Sequence, residues 1–391
     1  MPARKVYLDH SATTPLAAEV YEAMKPFLQE RYGNPNSLHS WGREAKKAVD
    51  ESRASIARLI NAEPREVIIT GGGSEADNLA IKGTAFALQG KGRHIITSAI
   101  EHHAVIDTCK WLEKQGFELT VLPVDETGMV SIADLDAAIR EETILVTIMY
   151  ANNEVGTIQP VKEIVRTARA KGVRVHLDGV QAVGHIPVDV KDLDVDLLTL
   201  SAHKMYGPKG VGALYVKRGV KLAPLVHGGG QEFGLRSGTE NTAGIVGFGA
   251  AAELANRRLE EGAAEEETRL RDLLINGITE KISNAHITGH PVERLPFHAS
   301  VCFDYIEGES MLLRLDAAGI GASSGSACTS GSLEPSHVLL AMGIPHELAH
   351  GSLRLTLGKD TTEEDILYVL EILPRVVSDL RALSPLGKEL S

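Results

Sequence analysis

Short apolar runs at 67–70, 94–97, 118–122, 144–149, 174–177 and 197–200 alternate with patterned helical segments such as 131–140 and 161–171. No other feature of the chain limits its fold so strongly. Strands that are apolar nearly throughout must be covered on both faces, and helices between them provide that cover. The pattern predicts an α/β fold whose sheet is mostly parallel. Ligands of such sheets bind beyond the carboxyl ends of the strands, so polar residues directly after the runs are the first candidates for a site. With 391 residues, two domains are expected. The Ala- and charge-rich stretch at 253–267 reads as a long helix leaving the first. The expected division is a large domain over 15–255 and a smaller α+β domain formed by 1–14 and 256–391.

Composition narrows the function. Acidic residues outnumber basic ones, 52 to 40, for a net charge of −12. A chain so charged has no bulk means of neutralising phosphates, which argues against a nucleic-acid or membrane-surface binder. No signal-peptide pattern and no apolar run long enough to span a membrane is seen. The three cysteines, Cys109, Cys302 and Cys328, are far apart and lack zinc-type spacing. A reducing, cytoplasmic setting fits them.

Chemistry gathers at the run ends. Gly71-Gly72-Gly73-Ser74 joins a strand to a helical segment at 78–88; exposed N–H groups, a helix start and the Ser74 hydroxyl make a phosphate cradle, although a plain turn would look the same. Asp178 ends one run, where it serves either as a partner for a pyridinium nitrogen or as a helix cap. Ser201, His203 and Lys204 follow the next run. Lys204 lies between apolar residues and Tyr206-Gly207-Pro208, and a lysine so placed can hold an aldehyde cofactor as a Schiff base, with Ser201 and His203 at its phosphate. His102 can stack on an aromatic ring and move protons near neutral pH, or simply fill a strand-to-helix junction. Arg236 and Arg354 are candidate carboxylate clamps; Arg354 sits in an alternating pattern that lets it face either solvent or a cleft. Cys328 lies in the Ser/Gly-rich segment 323–333, where a thiolate can swing into a site and out again. Cys109 and Cys302 sit in apolar patterns and read as structural. The sequence His346-Glu347-Leu348-Ala349-His350 matches a zinc-protease signature, but Pro345 and Gly351 leave room for one short helix only, and no intrinsic metal site is expected.

These segments occur in order with Tyr7-Leu8-Asp9-His10-Ser11-Ala12-Thr13-Thr14-Pro15, Gly33-Asn34-Pro35, Asn152-Asn153-Glu154-Val155-Gly156, Arg236-Ser237-Gly238-Thr239 and Leu333-Glu334-Pro335-Ser336. In this the chain resembles, nearly end to end, the cysteine desulfurases of the NifS/IscS type, which are class-V aminotransferases with the fold-type I pyridoxal 5'-phosphate architecture. The resemblance implies a homodimer in which Lys204 carries pyridoxal phosphate. Gly73, Ser74, Ser201 and His203 would hold its phosphate, together with Thr239 of the partner. Asp178 would meet the ring nitrogen, Gln181 and Asn153 the ring oxygen side, and His102 the ring face. Arg354 and Asn153 would take the carboxylate of L-cysteine, and Cys328 would become the persulfide. Sulfur would pass to an iron–sulfur scaffold protein or another acceptor, with Cys328 a transient cluster ligand in that complex. Relatives often have Ala-Thr at Gly73-Ser74, and the scaffold-docking branch has a longer tail beyond Ser391, which implies altered docking. A selenocysteine lyase or an aminotransferase on the same scaffold is the alternative activity. A non-enzymatic sulfur-transfer platform is a third reading, which the retained Lys204 disfavours.

Overall fold

The computed structural model describes residues 4–324 and 335–383. Cys328 and most of the 323–333 segment lie outside the described residues.

Twelve strands are present among the described residues: β1 (Val6–Tyr7), β2 (Val67–Thr70), β3 (His94–Ser98), β4 (Glu118–Leu122), β5 (Thr143–Met149), β6 (Arg174–Asp178), β7 (Leu197–Ser201), β8 (Gly212–Val216), β9 (Ala285–Ile287), β10 (His298–Phe303), β11 (Ile320–Gly321) and β12 (Ser352–Thr356). The central sheet has seven strands in the order β2-β8-β7-β6-β5-β3-β4. From β7 to β4 the neighbours are parallel; β8 runs antiparallel to both β7 and β2. Strands β5, β6 and β7 are almost wholly buried, as their continuous Val, Leu and Ile content requires. The predicted α/β class holds. The antiparallel β8 went unpredicted, because it follows the Gly207-Pro208 turn and lacks a helix before it.

A second sheet, in the order β12-β10-β9, is antiparallel throughout. It has its own apolar core with Phe297, Phe303, Leu353 and Leu355, closed by the C-terminal helix Glu363–Leu383. The acidic residues in that helix's first turn suit its dipole. The N-terminal segment joins this layer: β1 pairs with β11, and Asp9 bridges to Thr356.

The stretch at 253–267 is not one helix. Helix Thr242–Glu260 ends, Gly262 adopts φ 79°, and a new helix runs over Ala263–Lys281. A left-handed residue interrupts the helical hydrogen-bond ladder, and glycine, lacking a Cβ, takes that conformation without strain. The zinc-like motif forms a single turn, His346–Ala349, and among the described residues no group of three or more His, Cys, Asp or Glu side chains could hold a metal ion. No helix of the described residues is long and apolar enough to cross a membrane.

Candidate active site

The carboxyl ends of β5, β6 and β7, the start of helix Gly73–Leu88 and the N-terminal segment enclose a cavity of about 290 Å³. Gly73, Ser74, His102, Asn153, Asp178, Gln181, Ser201, His203, Lys204 and Arg354 all line it. Thr239 does not; it is exposed on the loop after Gly228. Arg236 also stays outside, paired to Glu75 at 2.7 Å.

One end of the cavity is built for an anion. Gly73 and Ser74 open the helix Gly73–Leu88, where first-turn N–H groups have no intrahelical acceptor and the dipole favours negative charge. The Ser201 hydroxyl is buried and has no hydrogen-bond partner. A Cβ on Gly73 would come within 2.9 Å of Val180 Cγ2 and 3.5 Å of Ser201 Cβ, so a side chain there would fill the cradle. His203, pushed down to about 4 mainly by burial, is neutral at neutral pH; its Nδ1 lies 3.1 Å from Thr13 Oγ1.

The opposite end is built for a cation. Asp178 is 6% exposed, and its Oδ1 accepts the Val180 N–H at 3.0 Å. Burial raises its pKa, while His102, that N–H and Lys204 favour the charged form. His102 caps helix His103–Glu113, with Nδ1 accepting the Ala104 N–H at 3.1 Å. Burial lowers its pKa, so the ring is neutral and its proton belongs on Nε2. Gln181 Nε2 donates to the Ser11 carbonyl at 3.0 Å.

Lys204 sits in the turn Ala202–Lys204 after β7, and its amine donates to the carbonyls of Ser11 and, at 2.9 Å, Ala12. Its backbone is pinned by His185, whose Nε2 lies 2.9 Å from the Lys204 carbonyl oxygen. Arg354 is 1% exposed and faces the cavity, which decides the question its strand pattern left open. It donates to the Asn153 carbonyl and to Asp9, each at 2.9 Å, while Nε has no partner.

Sequence reasoning missed Asp9, Ser11, Ala12, Asp77 and His185. Ser11 and Ala12 act through main-chain carbonyls, which leave no residue signal. The expected helix began at 78 whereas the structure starts it at Gly73, so Asp77 read as part of the glycine turn. Cys109 and Cys302 are buried, and burial raises both thiols, Cys302 to about 12; neither is a ready nucleophile.

An anion cradle, a buried carboxylate and a lysine converge on one ring-sized cavity, and this donor set fits pyridoxal phosphate. The fold and site define a fold-type I pyridoxal-phosphate enzyme. The aminotransferase class-V family matches residues 6–369, and the chain belongs to that family. It is 55% identical to the cysteine desulfurase IscS of Dictyoglomus turgidum over 99% of this chain and 98% of that protein. It is 56% identical to the cysteine desulfurase IscS of Methanosarcina thermophila over 98% of this chain and 94% of that one. A solved NifS-like protein superposes with a TM-score of 0.91 at 41% identity, covering 96% of this chain and all of that structure.

Proposed function

We propose that the chain is a cysteine desulfurase that converts L-cysteine to L-alanine and leaves the sulfur as a persulfide on Cys328. The observation that carries this reading is the convergence of Lys204, Asp178 and Arg354 on one cavity, in a chain whose relatives are cysteine desulfurases.

Gly73, Ser74, Ser201 and His203 would hold the phosphate of the cofactor, with Asp178 at the ring nitrogen, Gln181 and Asn153 on the ring oxygen side and His102 against the ring face. When bound, pyridoxal phosphate supplies an aldehyde for the substrate amine and a ring that accepts electrons released at Cα. Arg354 and Asn153 orient the substrate carboxylate. Lys204 Nζ would hold the cofactor aldehyde and, when free, is the base placed to take the Cα proton of the substrate. Asp178 holds a negative charge on the cavity floor for the ring nitrogen it would meet, and neutral His102 holds a proton at Nε2. The Cys328 thiolate attacks the substrate sulfur: the carbon–sulfur bond breaks, a sulfur–sulfur bond forms, and the proton lost by the thiol is balanced by the one gained at Cβ. Atoms and electrons balance with no external oxidant or reductant.

The same reading takes the chain as a cytoplasmic homodimer whose Thr239 completes the partner's phosphate site, and its exposed position supports that role. It divides the chain into 15–255 against 1–14 with 256–391, and passes sulfur to an iron–sulfur scaffold protein or a related acceptor. The test is a product assay on the purified chain with L-cysteine. Alanine in step with bound sulfur is expected, and Lys204→Ala should abolish both. Transfer of the amine to a keto acid, or turnover confined to selenocysteine, would replace the desulfurase reading with the aminotransferase or the lyase.

A further inference from the structure

Beneath the ring-nitrogen end of the cavity lies a buried polar layer of which the mechanism uses Asp178 alone. On the face of the sheet under helix Gly73–Leu88, β5, β6 and β7 place Thr147, His176, Asp178 and Thr199 side by side; Thr147 pairs with His176 in register, and Asp178 with Thr199. Asp77 descends onto this layer from that helix, and it also lines the cavity. It is 2% exposed, and its Oδ1 has no hydrogen-bond partner. That oxygen lies 3.7 Å from His176 Nε2. Burial takes His176 down to about 3, so the ring is neutral and the contact is not an ion pair.

The hydrogen bonds form a line. His176 Nε2 is 2.9 Å from the Thr199 hydroxyl, and Nδ1 is 2.8 Å from the Thr147 hydroxyl. Thr199 also faces Asp77. A neutral imidazole has one N–H and a hydroxyl has one proton, so the line runs in one of two directions. Either Asp77 donates to Thr199 and the imidazole proton sits on Nδ1, or Asp77 accepts and that proton sits on Nε2.

The surrounding charges select the first direction. Asp178 and Glu101 are the carboxyl groups that face Asp77, and each opposes its ionisation, as does burial. Asp178 has Lys204, His102 and the Val180 N–H to favour its charge. Glu101 has Ser98 at 2.5 Å and the Met149 N–H at 3.0 Å, with its other oxygen unpartnered. Asp77 has the Thr199 hydroxyl to favour its charge. Of three buried carboxyl groups close together, the proton stays with those lacking a cation.

We propose that Asp77 is a positioning residue held as the neutral acid, donating through Thr199 to His176, so that Asp178 alone carries charge on the cavity floor. Asp77 thereby fixes where the negative charge meets the cofactor ring. The inference deepens the cofactor reading, but its deciding result is read on the cofactor-free chain and without substrate, so its failure is separable from a failure of the desulfurase reading.

The test is nitrogen-15 NMR of the full chain labelled at histidine, free and loaded with pyridoxal phosphate, near neutral pH. The expected result is the Nδ1–H tautomer of His176 in both states. Infrared difference spectra of the wild type against Asp77→Asn should show the loss of one protonated-carboxyl C=O band. Asp77→Asn also presents a donor to Thr199 and should retain the Nδ1–H tautomer, whereas Asp77→Ala should let it mix. An Nε2–H tautomer in the wild type overturns the proposal, and so does an unchanged acid C=O region in the difference spectrum. The wild-type spectrum is decisive even if a variant fails to fold.

Discussion

Replacing Arg354 with lysine tests the substrate clamp most sharply. The guanidinium has five N–H donors. One goes to the Asn153 carbonyl and one to Asp9, each at 2.9 Å, and Nε is among those that remain. A lysine keeps the charge but carries three donors on one nitrogen. It cannot reach Asn153, Asp9 and a substrate carboxylate from the geometry the planar fork allows. Losing one charge-assisted hydrogen bond costs about 1.5–3 kcal/mol, which corresponds to a fall of ~10–150-fold in kcat/KM. The assay is steady-state alanine formation across L-cysteine concentrations, with the unfolding midpoint of the cofactor-free variant as a control. The loss should fall mainly on KM, and the cofactor absorbance of the loaded protein should persist. If kcat/KM for Arg354→Lys stays within about twofold of wild type while the fold is intact, the carboxylate is held elsewhere and the clamp is misassigned.

Three further outcomes follow from the geometry. Arg53 and Glu232 form a bidentate pair at 2.6 and 2.7 Å with side chains 6% and 4% exposed; Arg53→Met should lower unfolding free energy by about 3–5 kcal/mol in urea titration, whereas Lys46→Ala, which breaks the exposed pair with Asp50, should cost under about 1 kcal/mol, and equal effects would contradict the role given to burial. Burial raises Glu101 from 4.5 to about 8, so its contribution to stability is present below the unfolded value and lost as pH rises through the folded one, with a slope of at most ~1.4 kcal/mol per pH unit. Thermal midpoints of the cofactor-free chain between about pH 5 and pH 8 should therefore fall more steeply in the wild type than in Glu101→Gln, and parallel curves would show that Glu101 is ionised in the fold. Gly73→Val places methyl groups where a Cβ alone meets Val180 Cγ2 at 2.9 Å, so an absorbance titration should show pyridoxal phosphate bound ~10–100-fold more weakly, and unchanged affinity would remove Gly73 from the cradle.

The parallel part of the sheet was legible because a strand buried on both faces can hardly be written in other residues. The runs at 144–149, 174–177 and 197–200 match β5, β6 and β7, whereas the run at 118–122 forms the edge strand β4 and is only partly buried. The antiparallel β8 was not legible, since its Ala and Tyr content after a Gly-Pro turn resembles a loop-to-strand passage with no helix to announce it. One glycine, Gly262, split an apparent long helix in two, and composition cannot tell a glycine inside a helix from one that ends it. Within the site, residues that end strands were visible: Asp178 closes β6 and Lys204 follows β7 directly. Asp9 and His185 were not, because each acts on another site residue rather than standing at a strand end. The whole polar layer of Asp77, Thr147, His176 and Thr199 was invisible for a related reason. Its members belong to separate strands and a helix, and only the sheet register brings them together.

The central claim is that a cofactor lysine and a single nucleophilic cysteine act on one substrate. Its most direct test is incubation of the loaded protein with sulfur-labelled L-cysteine, followed by mass analysis of the peptide containing Cys328. One added labelled sulfur on Cys328 for each alanine released in the first turnover is the predicted result, absent in Lys204→Ala. Alanine released at the wild-type rate while Cys328 remains unmodified would contradict the account.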